Sequence, residues 1–391
     1  MVDLDDDAPQ ASICVDCARH SSLKRLIASN AVPGLCGLCE REDVNVCDPR
    51  NTNSMVMLLR SLVRFYWDEY DYNPHWGGES VMALFGDPDN PVLEPPRSDR
   101  YYDEIDYLIQ EPVYPPLSEG VWLYAGFNDG IRLMSPAISR TNPMQIGELK
   151  RRLLVENFFQ VEPDLDRIVS EFLGDIELQL PVNELWYRAR IGQKNVFSDV
   201  DGWNSRIVRQ PWMGLEIGAP PPLLAGNGGL NRTGVSMLYL ATDVYTAVAE
   251  IRPHPGHHVS IGGFRSTQNL KLADFNPDIS KFSSSDIRLD LFALIQAFDR
   301  LMSRPITPEE KHHYLLTQLL SEVLIKKGFD GVRYRSSLSK GSNICIFYPD
   351  RFTFDPSVSE VRSIRRVSYE VEATPYAITP TAGHFKLRDA S

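Results

Sequence analysis

Apolar residues recur along this chain with two different periods, and the change between them falls near Leu180. Before that point the spacing is helical. NSMVMLLRSLVRFYWDEY, at about 53–70, sets Met57, Leu58, Leu62, Phe65 and Tyr66 near one face. Similar patterns occupy about 144–158 and 164–174, and residues 86–120 carry many prolines that predict long loops with short elements. Beyond Leu180 the period is often two. LPVNELWYRARIG alternates as a strand, with Trp186, Arg188 and Arg190 on one face and Leu185, Tyr187, Ala189 and Ile191 on the other. After a loop rich in glycine and proline, Val235 to Ala241 reads as a strand, and Thr242 or Asp243 can cap a helix. On that helix Val244, Ala247, Val248 and Ile251 form one apolar stripe, and Pro253 ends it. FRSTQNLKLADF predicts another strand and 287–302 a helix. KHHYLLTQLLSEVLIKKG predicts a further helix, with Leu315, Leu319, Leu320, Val323 and Leu324 as its stripe and Lys326, Lys327 and Gly328 as stop signals. FDGVRY and NICIFY are strands, and 355–391 reads as an edge strand plus a mobile tail. The pattern predicts an α+β domain of about 170 residues behind a mainly helical first half.

At 391 residues, with 43% apolar and 24% charged residues, the chain has room for two or three domains with ordinary cores. No apolar run approaches the roughly 20 residues that span a bilayer, so no membrane partner is expected. The acidic start, MVDLDDDAPQ, is neither a secretory signal nor a basic transit peptide, and a cytoplasmic location is expected. The net charge of −12 divides into −16 over residues 1–180 and +4 over 181–391. An acidic first half argues against nucleic acid, and the second half is compatible with an anionic small substrate.

Five of the six cysteines fall in the first 47 residues. Cys14-x2-Cys17 and Cys36-x2-Cys39, separated by 18 residues, match two thiolate knuckles whose four sulfurs would close the shell of a structural Zn2+. A closed shell leaves no position for catalysis. Free thiols in a small helical segment are the plain alternative. Cys47 is a candidate replacement ligand and His20 a weaker one. Cys345, inside ICIFY, reads as a buried core thiol, and HPGHH at 254–258 reads as a turn.

Other candidate chemistry is ambiguous residue by residue. Glu250 sits in the last turn of its helix, where the dipole disfavours a negative charge by ~0.3–1 kcal/mol, and on the helix alone it is a solvated flank residue. Arg188 and Arg190 share a strand face beside a glycine-rich loop; arginine forks suit phosphate, yet such pairs are usually a strand's solvated side. AGNGGLNRTG fits no phosphate-loop pattern; Ser336 and Ser337 fall just after a strand and Asn343 at the start of another, with a turn rich in Ser and Gly between them.

In order, these pieces resemble the RES domain, a bacterial family named for its Arg, Glu and Ser. The resemblance covers about 184–352: WYRAR, then G-x-N-x-x-G with a strand ending LYLA, a helix reaching AE, FDGVRY-x-S and G-x-N-I-x-I-F. It implies Arg188, Glu250 and Ser336 as the catalytic set, with Ser337 one register away. It also implies Tyr187, Arg190, Asn231, Arg232, Tyr239 and Asn343 as substrate-binding candidates. Many relatives read G-R-W-N where this chain has Gly228-Gly229-Leu230-Asn231, so a second family arginine is missing at Gly229, and Arg232 or Arg190 would have to reach the same phosphate. The resemblance implies a fold similar to ADP-ribosyltransferases and NAD+ as substrate, in a toxin or effector that depletes NAD+ by hydrolysis or phosphorolysis of the nicotinamide–ribose bond. A protein ADP-ribosyltransferase using the same site, and a weakened zinc-containing interaction protein, are the alternatives. Residues 48–180 more weakly resemble HEPN-like helical domains. They lack the Arg and His pair of the nucleases, Arg64 and His75 being too far apart, and read as a sensing, dimerisation or inhibitory module. The expected divisions are 1–47 (acidic leader and zinc knuckle), 48–180 (helical), 181–354 (RES) and 355–391 (extension). The expected partners are a separate antitoxin, the chain's own N-terminal domain or a second copy.

Overall fold

In the first half the helical period produces helices broken where the side chains demand it. A computed structural model describes residues 11–72, 77–103, 105, 136–199, 206–368 and 371. The acidic leader, much of the proline-rich stretch and the end of the C-terminal tail lie outside them. The described part opens with β1 (Ile13–Cys14), α1 (Ser21–Asn30), β2 (Val32–Gly34) and β3 (Val44–Cys47), the strands forming a small antiparallel sheet in the order β1-β3-β2. Then come α2 (Asn53–Tyr66), α3 (Glu69–Tyr72), α4 (Val81–Phe85), α5 (Met144–Leu153) and α6 (Phe158–Ser170). The period expected to run over 144–158 stops at Leu153 because Asn157 opens a new helix. Its side chain takes the Gln160 backbone N–H, and Gln160 Oε1 accepts from the Asn157 N–H at 3.0 Å.

The second half forms one eight-stranded mixed sheet. Its members in chain order are β4 (Glu177–Leu180), β5 (Leu185–Ile191), β8 (Leu238–Ala241), β9 (His258–Ser266), β10 (Leu270–Asp274), β11 (Gly331–Arg335), β12 (Ser342–Ile346) and β13 (Phe352–Ser363). Between β5 and β8 lies a separate hairpin, β6 (Asn195–Asp199) with β7 (Arg206–Gln210). The helices are α7 (Val244–Glu250), α8 (Asp286–Ser303) and α9 (Leu315–Lys326). The sheet order is β13-β9-β5-β8-β12-β11-β10-β4, antiparallel except for β10 with β11. The sheet begins before the change of texture at Leu180, since Leu180 pairs with Leu270, and β13 carries it to Ser363. FRSTQNLKLADF is not one strand. The chain turns at 267–269, where Thr267 N–H donates to Arg351 O (2.9 Å) and Asn269 Oδ1 accepts from Val182 N–H (2.9 Å), and β9 and β10 lie far apart in the sheet.

One face of the sheet buries Trp186, Leu238, Leu240, Phe264, Ile344 and Ile346 around Ile217. On the other, Val332 and Cys345 join α8, α9 and the N-terminal helices in a continuous core that includes Leu58, Leu62, Leu165 and Phe172. The Phe172 ring lies 6.4 Å from Phe275 and 6.1 Å from Phe298. Each large apolar side chain buried there stabilises by ~1.5–3 kcal/mol, so the helical half and the sheet support one another. Arg288 with Asp175 (2.7 Å) and Lys327 with Asp166 (2.9 Å) tie the same junction. No described helix is long and apolar enough to cross a membrane. The sheet has one weak seam: β5 and β8 meet at the single pair Tyr187↔Ala241.

Candidate functional site

The seam opens into a cleft because β8 runs directly into a capped helix. Asp243 caps α7, its Oδ1 accepting from Thr246 N–H at 2.9 Å and its Oδ2 from Thr246 Oγ1–H at 2.6 Å. Burial would raise this carboxyl, but the hydrogen bonds from Thr246 and Thr242 outweigh it and hold the group below its usual range. Ala247 packs with Ala189, Ala241, Val259 and Ile261, which fixes α7 over the seam. The turn between β11 and β12 is clasped along this helix. Thr246 Oγ1 lies 2.9 Å from Ser339 Oγ, and Ser342 N–H donates to Thr242 Oγ1 at 3.1 Å. A Cβ at Gly341 would stand 2.2 Å from Thr246 Oγ1, so only glycine lets the turn lie this close. The consequence is that Ser336 meets Glu250 at the far end of α7.

The cleft encloses about 270 Å³, lined chiefly by Tyr187, Arg188, Tyr239, Glu250, Tyr334 and Asn343. Glu250 Oε1 accepts from Ser336 Oγ–H at 2.6 Å and from Asn343 Nδ2–H at 2.7 Å. Among the described residues nothing bonds Oε2. The residue as a whole remains open to solvent, so it lies at the cleft's mouth and not in a sealed chamber. Ser336 Oγ in turn accepts from Leu338 N–H at 3.1 Å. Arg188 is half-buried, and its Nη1 donates to the Tyr239 carbonyl at 3.0 Å across the seam. Among the described residues it has no carboxylate partner. Burial lowers its proton affinity, which remains that of a cation at any ordinary pH. The arrangement puts a fixed carboxylate, with one oxygen not bonded among the described residues, and a guanidinium without a described carboxylate partner into the lining of one cleft.

The other expected residues are placed differently. Tyr239 lines the cleft, but its hydroxyl is spent on the loop behind, donating to Asn231 Oδ1 at 2.8 Å and accepting from Leu230 N–H at 3.1 Å. Asn231 is buried, and its Nδ2 is shared among the carbonyls of Gly226, Arg232 and Val235, so it ties the glycine-rich loop and does not reach the cleft. Arg232 turns away to pair with Glu322 and lies 4.4 Å over the Phe158 ring. Arg190 donates to Glu216 O and stacks on Trp212 at 4.5 Å, in a groove beside the cleft that shares Arg188 and Ile251 with it. Neither arginine lines the cleft, and a Cβ at Gly229 would stand 3.6 Å from the Tyr314 ring. Ser337 is exposed on the turn. Sequence reasoning passed over Tyr334, which lines the cleft two residues before Ser336; its alternation with Arg333 and Arg335 in the same block was the available signal. Burial pushes its phenol well above the ordinary value. Among the described residues, none from 11–180 lines the cleft.

The cysteines converge elsewhere. Cys14, Cys17, Cys36 and Cys39 are all buried, with their sulfurs within 4.8 Å of one another, and they could hold a metal ion. Cys14 to Cys39 and Cys17 to Cys36 are 3.8 Å apart, the edge of a tetrahedron with sulfur at ~2.3 Å from its centre and far beyond a disulfide. Arg41 Nε donates to Cys39 Sγ (3.3 Å) and Cys14 N–H to Cys36 Sγ (3.4 Å), donors of the kind that orient metal-binding sulfurs. Hydrogen bonds from Cys17 and from backbone N–H groups hold the Cys36 thiol well below its usual value. Cys47 is occupied with Thr52 and His20 caps α1, so neither joins the set.

The family model described as the RES domain matches residues 201–367, a stretch that contains Glu250, Ser336 and Asn343 and begins after Arg188. No curated protein matches the chain. A solved structure, the M. tuberculosis MbcT–MbcA toxin–antitoxin complex, aligns over 51% of this chain and 94% of that chain at 9% identity with a TM-score of 0.28, and a likeness of that size carries no inference. The stretch from 201 to 367 is thus similar to the RES domain, and the cleft is built largely from it.

Proposed function

We propose that this protein is a RES-type effector that breaks the nicotinamide–ribose bond of NAD+. The observation that carries the reading is Glu250, anchored through Oε1 by Ser336 and Asn343, sharing the cleft with Arg188; among the described residues nothing bonds Glu250 Oε2 and no carboxylate pairs with Arg188. The match to the RES domain over 201–367 supports it, and the mixed sheet, thinly joined between β5 and β8, is in keeping with an ADP-ribosyltransferase-like fold.

Cleavage of this bond develops positive charge on the ribose carbon as nicotinamide departs with the bonding electrons, an oxocarbenium-like state. Glu250 Oε2 would hold a ribose hydroxyl and stabilise that charge, and it would act more strongly once the substrate has displaced water from the cleft. Arg188 would receive the pyrophosphate, and Tyr187, Tyr239 and Tyr334 would enclose the rings. Ser336 directs its proton to Glu250, which makes it a positioning residue. Water or phosphate would then attack the ribose carbon from the open side.

Purified protein incubated with NAD+ should release nicotinamide, together with free ADP-ribose or its phosphate. No release by folded protein at high concentration would end the proposal. Label from the adenine half accumulating on protein would replace it with an ADP-ribosyltransferase at the same site. Within the proposal, residues 11–180 serve a role other than chemistry, and the four-cysteine set holds structural zinc.

A further inference from the structure

On the far side of α9 from the glycine-rich loop there is a second cavity, of about 370 Å³, between α5 and the residues leading into α9. Its walls are Gly147, Leu153, Leu154, Leu315 and Leu316. Among the described residues its polar edge is formed by Lys150, Arg151, His312 and His313. Arg151 is satisfied by Glu148 at 2.7 Å. Among the described residues, no carboxylate pairs with Lys150, although the side chain is partly buried and Arg304 stands close enough to repel it. The imidazoles of His312 and His313 pack at 4.1 Å, and Glu310 lies 4.0 Å from His313. Burial lowers both Lys150 and His313, and their cationic neighbours add to it. Lys150, partly buried at an apolar cavity and repelled by Arg304, costs free energy that an anion would recover, and the neutral His313 can donate a hydrogen bond to it. The volume falls within the range of small-molecule sites.

We propose that this cavity binds a small amphiphilic anion, a carboxylate or phosphate group seated on Lys150 and His313 with an apolar tail or ring against the four leucines. Occupancy would be felt at the cleft through α9. The opposite side of the same helix holds the glycine-rich loop: Thr317 Oγ1 donates to Gly229 O, and Gln318 Nε2 donates to Asn227 Oδ1 (2.6 Å), Gly228 O (2.8 Å) and Asn231 O (3.0 Å). Asn231 in turn receives the Tyr239 hydroxyl, and the Tyr239 carbonyl receives Arg188.

The test needs no catalytic readout. The full chain is titrated calorimetrically with octanoate, octyl phosphate, 1-octanol and inorganic phosphate. Saturable binding of octanoate or octyl phosphate is expected, with 1-octanol and inorganic phosphate at least ten-fold weaker; whichever amphiphile binds tighter names the head group. Lys150→Ala and His313→Ala should each weaken it ten-fold or more, Lys150→Arg should restore most of it, and Glu250→Gln should leave it unchanged. No saturable binding, equal binding of 1-octanol, or wild-type affinity in a folded Lys150→Ala protein would overturn the site. Amide exchange over 226–231 should slow when the better ligand is bound. Unchanged exchange there would overturn the coupling to the cleft.

Discussion

A carboxylate in the last turn of a seven-residue helix has the helix dipole against it, by ~0.3–1 kcal/mol, and Glu250 is kept in place there by two donors, Ser336 from the β11–β12 turn and Asn343 from β12. The residues that supply and receive those bonds are not equivalent. Asn343 is buried, and Asn343→Ala should cost about 1 kcal/mol of stability as well as a donor to Glu250. Glu250 is exposed, and Glu250→Gln should leave the thermal midpoint nearly unchanged, within about 0.5 kcal/mol. Differential scanning fluorimetry checks both; a large loss in Glu250→Gln would make the glutamate a structural residue. Arg188, Glu250 and Ser336 stand far apart in sequence, and nothing in the local pattern of any one marks it, which is why only their order along the chain made them legible. Asn231 was misplaced for a related reason: an asparagine in a glycine-rich loop offers the same groups to its own carbonyls as to a ligand.

At the scale of elements, the site depends on a sheet that fails to zip between β5 and β8 and on a turn that lies flush against α7. Periodicity identified both strands and the helix, and left its cap between Thr242 and Asp243. It could not show that β5 and β8 meet at one residue pair, because pairing depends on partners distant in the chain. It also merged β9 with β10, since the turn at 267–269 is made by Arg351 and Val182 and carries no glycine or proline of its own. Gly341 offers the sharpest test at this scale. Gly341→Ala would put a methyl 2.2 Å from Thr246 Oγ1 and 2.5 Å from Asp243 Oδ2, so the turn must back away. A loss of about 1–3 kcal/mol in stability is expected, with nicotinamide release falling at least ten-fold as Ser336 withdraws from Glu250. Full activity in that variant would show that the clasp does not position the carboxylate.

In the whole molecule, the helical half and the sheet share a core, and the cysteine set lies within it. The CxxC spacing made that set legible from sequence, whereas the shared core was not, because the apolar stripes of α2 and α6 do not name what they cover. Removal of metal should therefore be felt beyond the first 47 residues. About one zinc per chain is expected by mass spectrometry, and a chelator or Cys36→Ser should lower the thermal midpoint of the chain as a whole. Metal-free protein with an unaltered midpoint would contradict this. The central claim is that Glu250 in the seam cleft serves the breaking of the nicotinamide–ribose bond. The most direct measurement is nicotinamide release from NAD+ by the wild-type chain and by Glu250→Gln at matched thermal midpoints. A loss of about 100-fold or more in turnover is the predicted result; release that survives the substitution would contradict the account.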